Sequence, residues 1–166
     1  MTSEPATPPS AGQPAAPARA KTMALQGVAN SVVRTLLRAP LIGSAMGGRL
    51  ITLYLVGRKS GKRYEIPVAY TRDGEDLLIG TPFSWGRNLR TGEPVEILLK
   101  GKRRAAAVQV ITDEAGVTAH YAVMVRDNRQ FAKFNKVGVD RDGNPNPADL
   151  HAAWAAGARG FRLTPR

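Results

Sequence analysis

The sequence predicts a mainly β domain of the α+β class, in which antiparallel strands close toward a barrel and helices flank them. Three observations carry this. From Arg49 onward, short runs of apolar, β-branched and aromatic residues have the length of strands. Turn signals at Gly57 to Lys62, Asp73-Gly74 and Gly101-Lys102 separate those runs at hairpin spacing. Helical periodicity and helix-capping residues are confined to the segment before the first run and to the chain after Ile111.

Taken in order, residues 1–21 read as a Pro/Ala-rich tail and residues 22–166 as one domain, since 166 residues suit a single core. Pro5, Pro8, Pro9, Pro14 and Pro17 keep helix or strand from propagating, so the tail is expected to be disordered. Leu25, Val28, Ala29, Val32, Val33, Leu36 and Leu37 then recur on one helical face, with Gln26, Asn30, Arg34 and Arg38 opposite and Pro40 as the stop. The apolar face of this amphipathic helix is expected to cover the barrel; a peripheral contact with a membrane surface is the alternative.

Leu50 to Val56 reads as the first strand. Glu65 to Thr71 reads as the second, and Pro67 within it requires a sheet edge or a bulge. The Asp73-Gly74 turn leads into a strand from Asp76 to Gly80, and Val95 to Leu99 pairs with Ala105 to Ile111 across Gly101-Lys102. The expected order is a meander, whose closure would remove exposed edges. Thr112, followed by two acids, is expected to cap a helix running to Val125. A second helix is expected from Asn128 to Lys136, and Asn146-Pro147 opens a third that Gly157 ends, before a last strand from Gly160 to Leu163.

The composition, 43% hydrophobic and 22% charged, is ordinary for a globular chain, but 24 Lys plus Arg against 13 Asp plus Glu leave a formal charge of +11. An anionic partner is expected. The absence of cysteine excludes disulfides, thiolate metal sites and thiol nucleophiles. His120 and His151, far apart in sequence, make no metal motif, and no metal is expected. No apolar stretch is long enough to span a bilayer, so the expected location is the cytoplasm, with membrane association through the first helix as the variant. Heavy use of Ala, Arg and Gly suits a GC-rich bacterial genome.

The most informative stretch is Gly57-Arg58-Lys59-Ser60-Gly61-Lys62-Arg63, a basic turn between two strands. Its glycines permit positive φ and let backbone N–H groups converge on an anion; Ser60 adds a hydroxyl and Arg58 a forked cation. These are the parts of a phosphate clamp, although a solvated basic hairpin has the same composition. The turn is not a Walker A loop, because its glycine spacing is one residue short and a strand follows.

In order, the run Gly57 to Gly61, then Pro67-Val68-Ala69-Tyr70, Arg72-Asp73-Gly74, Trp85 and Asn88-Leu89 resembles the deazaflavin-dependent nitroreductase family. These are flavin/deazaflavin oxidoreductases with an FMN-binding-protein-like split β-barrel. The resemblance covers about Arg49 to Ile111 and implies a reduced deazaflavin (coenzyme F-420) that passes hydride to a quinone, nitro compound or activated alkene, a small hydrophobic acceptor. By position, Arg58, Lys59, Ser60, Gly61, Lys62 and Arg63 would bind the phosphorylated, anionic end. Pro67, Val68 and Tyr70 would line the ring, Trp85 with Asn88 would close the side of the pocket, Thr81 is a further cofactor-binding candidate, and Tyr70 is the candidate catalytic donor. Where the family often places a Ser-Lys-Gly-like segment, this chain has Gly80-Thr81-Pro82-Phe83, and Tyr64 follows Arg63 where another Arg is usual. FMN is the alternative cofactor. A homodimer is compatible with the resemblance.

Two other readings stand beside this one. The first is a non-catalytic binder or carrier of a flavin, haem or other anionic ligand. The second is a nucleic-acid-binding protein using Lys100, Lys102, Arg103 and Arg104, disfavoured because no aromatic residues interleave with those charges.

Overall fold

Alternate residues of the run Leu50–Val56 are buried, the period of a half-covered strand, and this run forms β1 in the computed structural model, which describes residues 49–166. The expected tail and amphipathic helix lie outside the described residues. β2 (Arg63–Ala69) pairs antiparallel with β1, and β3 (Thr71–Asp73) forms a hairpin with β4 (Asp76–Thr81) across Gly74, whose φ of 60° suits glycine. β5 (Val95–Leu99) and β6 (Lys102–Ile111) form a second hairpin, and β7 (Arg159–Pro165) returns near the C-terminus.

The seven strands of the described residues make one antiparallel sheet in the order β2-β1-β5-β6-β7-β4-β3, a curled, split β-barrel arrangement with the three described α-helices packed beside it. The expected meander is therefore corrected. Three sequential hairpins are present, but β1–β5, β4–β7 and β6–β7 are long-range pairings that no local turn signal encodes. β2 lies at one edge, which accommodates Pro67 opposite Thr52, because a strand with one neighbour can spare an N–H.

The turn between β5 and β6 is Lys100-Gly101, one residue earlier than expected. Both residues have positive φ, 49° and 76°, which closes a two-residue hairpin and brings Leu99 opposite Lys102. β6 consequently starts three residues before the apolar run, because ladder pairing extends a strand through Lys102, Arg103 and Arg104 without apolar side chains.

The first described helix, α1 (Glu114–Asp127), is capped by Asp113 rather than Thr112: the Asp113 carboxylate accepts from Gly116 N at 2.8 Å. α2 (Arg129–Phe134) is capped by Asn128, and α3 (Pro147–Ala155) by Asn146 with proline at the first helical position. Trp154 on α3 donates its indole N–H to the Thr112 carbonyl at 3.0 Å.

Two cores result. One face of the sheet gathers Ile51, Leu53, Leu55, Leu77, Ile79, Ile97, Val108, Phe161 and Leu163 with Tyr70, Trp85 and Leu89. The other face of β4 sends Leu78 into a second cluster with Val117, Tyr121, Met124, Val125 and Phe131 from the helices. β4 is thus buried on both sides, which explains the unbroken apolar run Leu77-Leu78-Ile79.

Candidate functional site: the basic turn and its groove

The turn after β1 is held by its own backbone. Gly57 N donates to Lys62 O at 2.8 Å and Gly61 N to Gly57 O at 2.7 Å, with Gly61 at φ 64°. Ser60 Oγ accepts from Lys62 N at 3.3 Å and lies 3.3 Å from the Tyr64 hydroxyl. Gly57 is required by space: a Cβ there would sit 2.7 Å from both Ser60 Oγ and the Tyr64 ring. The N–H groups of Lys59 and Ser60 have no hydrogen-bond partner among the described residues. The turn therefore presents two main-chain donors, beside the exposed Lys59 and Lys62.

A 3-10 helix, Ser84–Asn88, meets this turn from a different part of the chain. Asn88 ties the two together. Its Oδ1 accepts from Arg58 N at 3.2 Å, its carbonyl accepts from Arg58 Nε at 3.5 Å, and its own Nδ2 donates to Trp85 O at 3.0 Å. Between turn and 3-10 helix runs a groove of about 420 Å³, lined by Leu55, Val56, Leu89, Pro94 and Val95 and by the polar Arg58, Asn88, Arg90, Glu93 and Glu96. That volume lies within the range of small-molecule sites, roughly 300–1,000 Å³. Glu93 Oε2 accepts from Arg58 Nη2 at 2.7 Å.

Of the residues expected from the sequence to form the site, Arg58, Gly61 and Asn88 line this groove, and Lys59, Ser60, Lys62 and Arg63 stand on the exposed turn and the start of β2. The others lie elsewhere. Pro67 and Val68 are half-buried on β2, with Val68 packed against the first core. Tyr70 is 6% exposed within that core. Thr81 is buried and accepts from Phe83 N at 3.1 Å, fixing the entry to the 3-10 helix. Trp85 stacks on Phe161 with ring centroids 6.2 Å apart, and its indole N–H is buried without a partner.

Glu93, Arg90 and Glu96 belong to the groove but escaped the sequence reading. Thr91-Gly92-Glu93-Pro94 has the composition of an ordinary turn, and only the fold brings Glu93 to Arg58, 35 residues upstream. The second cationic cluster is partly neutralised: Arg103 pairs with Glu96 and lies over the Tyr54 ring, 4.2 Å from its centroid. Among the described residues no group of three acidic or histidine side chains is placed to hold a metal. None of the described helices is long and apolar enough to cross a membrane.

No family model matches the sequence, and no curated protein matches it. Solved structures do. A heme storage protein of Vibrio cholerae, HutZ, is similar at 14% identity and a TM-score of 0.47, over 77% of this chain and 89% of that one. An FMN-binding protein related to pyridoxamine 5'-phosphate oxidase, from Nostoc punctiforme, is similar at 14% identity and a TM-score of 0.47, over 82% and 78%. A protein described as an F-420 reductase is similar at 15% identity and a TM-score of 0.43, over 75% and 92%.

Proposed function

We propose that this chain is an oxidoreductase that binds a phosphorylated flavin-type cofactor, a deazaflavin in the first place and FMN in the second, with its phosphate on the Gly57–Lys62 turn. The observation that carries the reading is the pair of unpartnered N–H groups at Lys59 and Ser60, on a cationic turn whose Gly57, Arg58 and Gly61 line the groove. Main-chain donors and lysines suit a phosphate, while the exposed Val56 and Pro94 offer apolar contact to the rest of such a ligand. The residues present fit the group. Once bound, the cofactor would supply hydride-transfer chemistry to a quinone, nitro compound or activated alkene.

The chain's own residues would bind, orient and shield. Lys59, Lys62 and the turn N–H groups hold the anionic end, and Asn88 fixes Arg58 and the 3-10 helix so that the groove keeps its width. A second reading, a non-catalytic carrier, is favoured by one observation: Tyr70, the candidate proton donor, is buried in the core and does not line the groove.

The test is a fluorescence titration with the deazaflavin coenzyme beside FMN, on the wild type and on a double variant, Arg58→Ala with Lys59→Ala. Losing two charged contacts is expected to weaken binding about 10- to 100-fold. Unchanged affinity would overturn the proposed site. Acceptor-dependent oxidation of the reduced, bound cofactor separates enzyme from carrier.

A further inference from the structure

The geometry points to Glu93 as an internal competitor for the anion site: its carboxylate holds Arg58 Nη2 and competes there with an incoming phosphate. The inference rests on the reading of the basic turn as a phosphate site. Glu93 is placed for this from outside the turn. Its loop is fastened to β6, where Gly92 N donates to Val108 O at 3.1 Å and Thr91 Oγ1 accepts from Val110 N at 2.9 Å. Gly92 takes a φ of 86° there, and Pro94 follows Glu93, so the chain on either side has little freedom.

From that anchored position the carboxylate reaches two cations. One oxygen lies 2.7 Å from Arg58 Nη2 and the other 3.9 Å from Arg90 Nη1. Lys59 and Lys62 have no ion-pair partner among the described residues. Glu93 thus takes up Arg58 and leaves Lys59, Lys62 and Arg63 without an ion pair among the described residues. A phosphate oxygen and a carboxylate oxygen are acceptors of the same kind, so a phosphate that approaches Arg58 through Nη2 competes with Glu93 for that nitrogen. A phosphate on the turn also meets a like charge across the groove for as long as Glu93 stays. The consequence is selectivity. Anions held only by the lysines leave the pair intact, whereas a ligand that takes Arg58 through Nη2 competes with Glu93.

The experiment follows the Arg58 Nε–H resonance by NMR during titration with inorganic phosphate, on the full chain as wild type, Glu93→Gln and Arg58→Ala; in the last, the phosphate response is read from the Lys59 and Ser60 amides. Glutamine keeps the size and an acceptor oxygen but removes the charge. Because partly exposed ion pairs are weak, phosphate is expected to bind Glu93→Gln about three- to tenfold more tightly than wild type, and Arg58→Ala more weakly than either. Equal or weaker binding to Glu93→Gln, with Arg58→Ala still impaired, overturns the competition and leaves the phosphate site standing. No saturable response in wild type or in Glu93→Gln overturns both. A thermal melt of each variant checks that all three are folded.

Discussion

Acidification from neutrality is expected to destabilise the fold through one residue, His120. It sits on α1 with 5% of its surface exposed, and its Nε2 lies 3.0 Å from the Ile79 carbonyl of β4. Nε2 therefore donates and Nδ1 is unprotonated. The Gly160 backbone presses against the ring, to which an added Cβ would come within 2.9 Å. Burial pushes the histidine below its ordinary value of 6.5, and Arg162 pushes the same way, against the Ile79 carbonyl and Asp73. The unfolded chain thus takes up a proton near pH 6.5 that the folded chain refuses until lower pH. The stabilisation is complete above that point and is lost as pH falls through the window down to the folded value. One proton sets a limiting slope of about 1.4 kcal/mol per pH unit. Even one unit at that slope is a measurable part of the roughly 5–15 kcal/mol typical of a domain. Urea unfolding followed by circular dichroism between about pH 7.5 and pH 5 measures the slope. His120→Gln keeps an N–H for the Ile79 carbonyl but cannot titrate, so its profile is expected to be flatter. Equal slopes in the two proteins would refute the assignment to His120.

Other outcomes follow from the packing. Gly80→Ala places a Cβ 2.8 Å from the rings of Tyr121 and Phe131 in the second core, and overpacking of this kind is expected to cost about 1–3 kcal/mol in urea unfolding. Asp127→Asn removes the Arg49 pair and weakens the acceptor for Thr71 Oγ1 at 2.9 Å; Arg49 is half exposed, so a loss below about 1 kcal/mol that shrinks with added salt is expected, measured by melts at two ionic strengths. The Asp76 carboxyl is held below its ordinary 3.8 by the Thr164 hydroxyl first and Arg162 second. Its contribution is present above that value and lost as pH falls through the lower, folded one. Asp76→Asn is therefore expected to flatten the acid limb of the unfolding profile below about pH 4.

Elements with strong local signals were legible in advance. Leu50–Val56 alternates at period two, and Asn128 and Asn146 each stand one residue before a helix and accept its first N–H groups. β6 was read too short because Lys102 to Arg104 carry no apolar side chains, and their strand conformation comes from pairing with Leu99 to Ile97. The basic turn was recognisable as a cluster of donors between strands. Its partners were not, since Asn88 and Glu93 lie 30 and 35 residues away in segments whose composition is that of any connecting loop.

By itself, the sequence determined the class of fold, most element positions, the lack of cysteine and the position of the basic turn between two strands. Each follows from inventory or from periodicities a few residues long. The tertiary structure alone decided the strand order β2-β1-β5-β6-β7-β4-β3, the burial of Tyr70 and Trp85, and the meeting of Arg58 with Glu93. Those depend on which faces cover each other once the sheet curls, and burial between distant segments is set by the sum of all pairings, which no local window of residues contains.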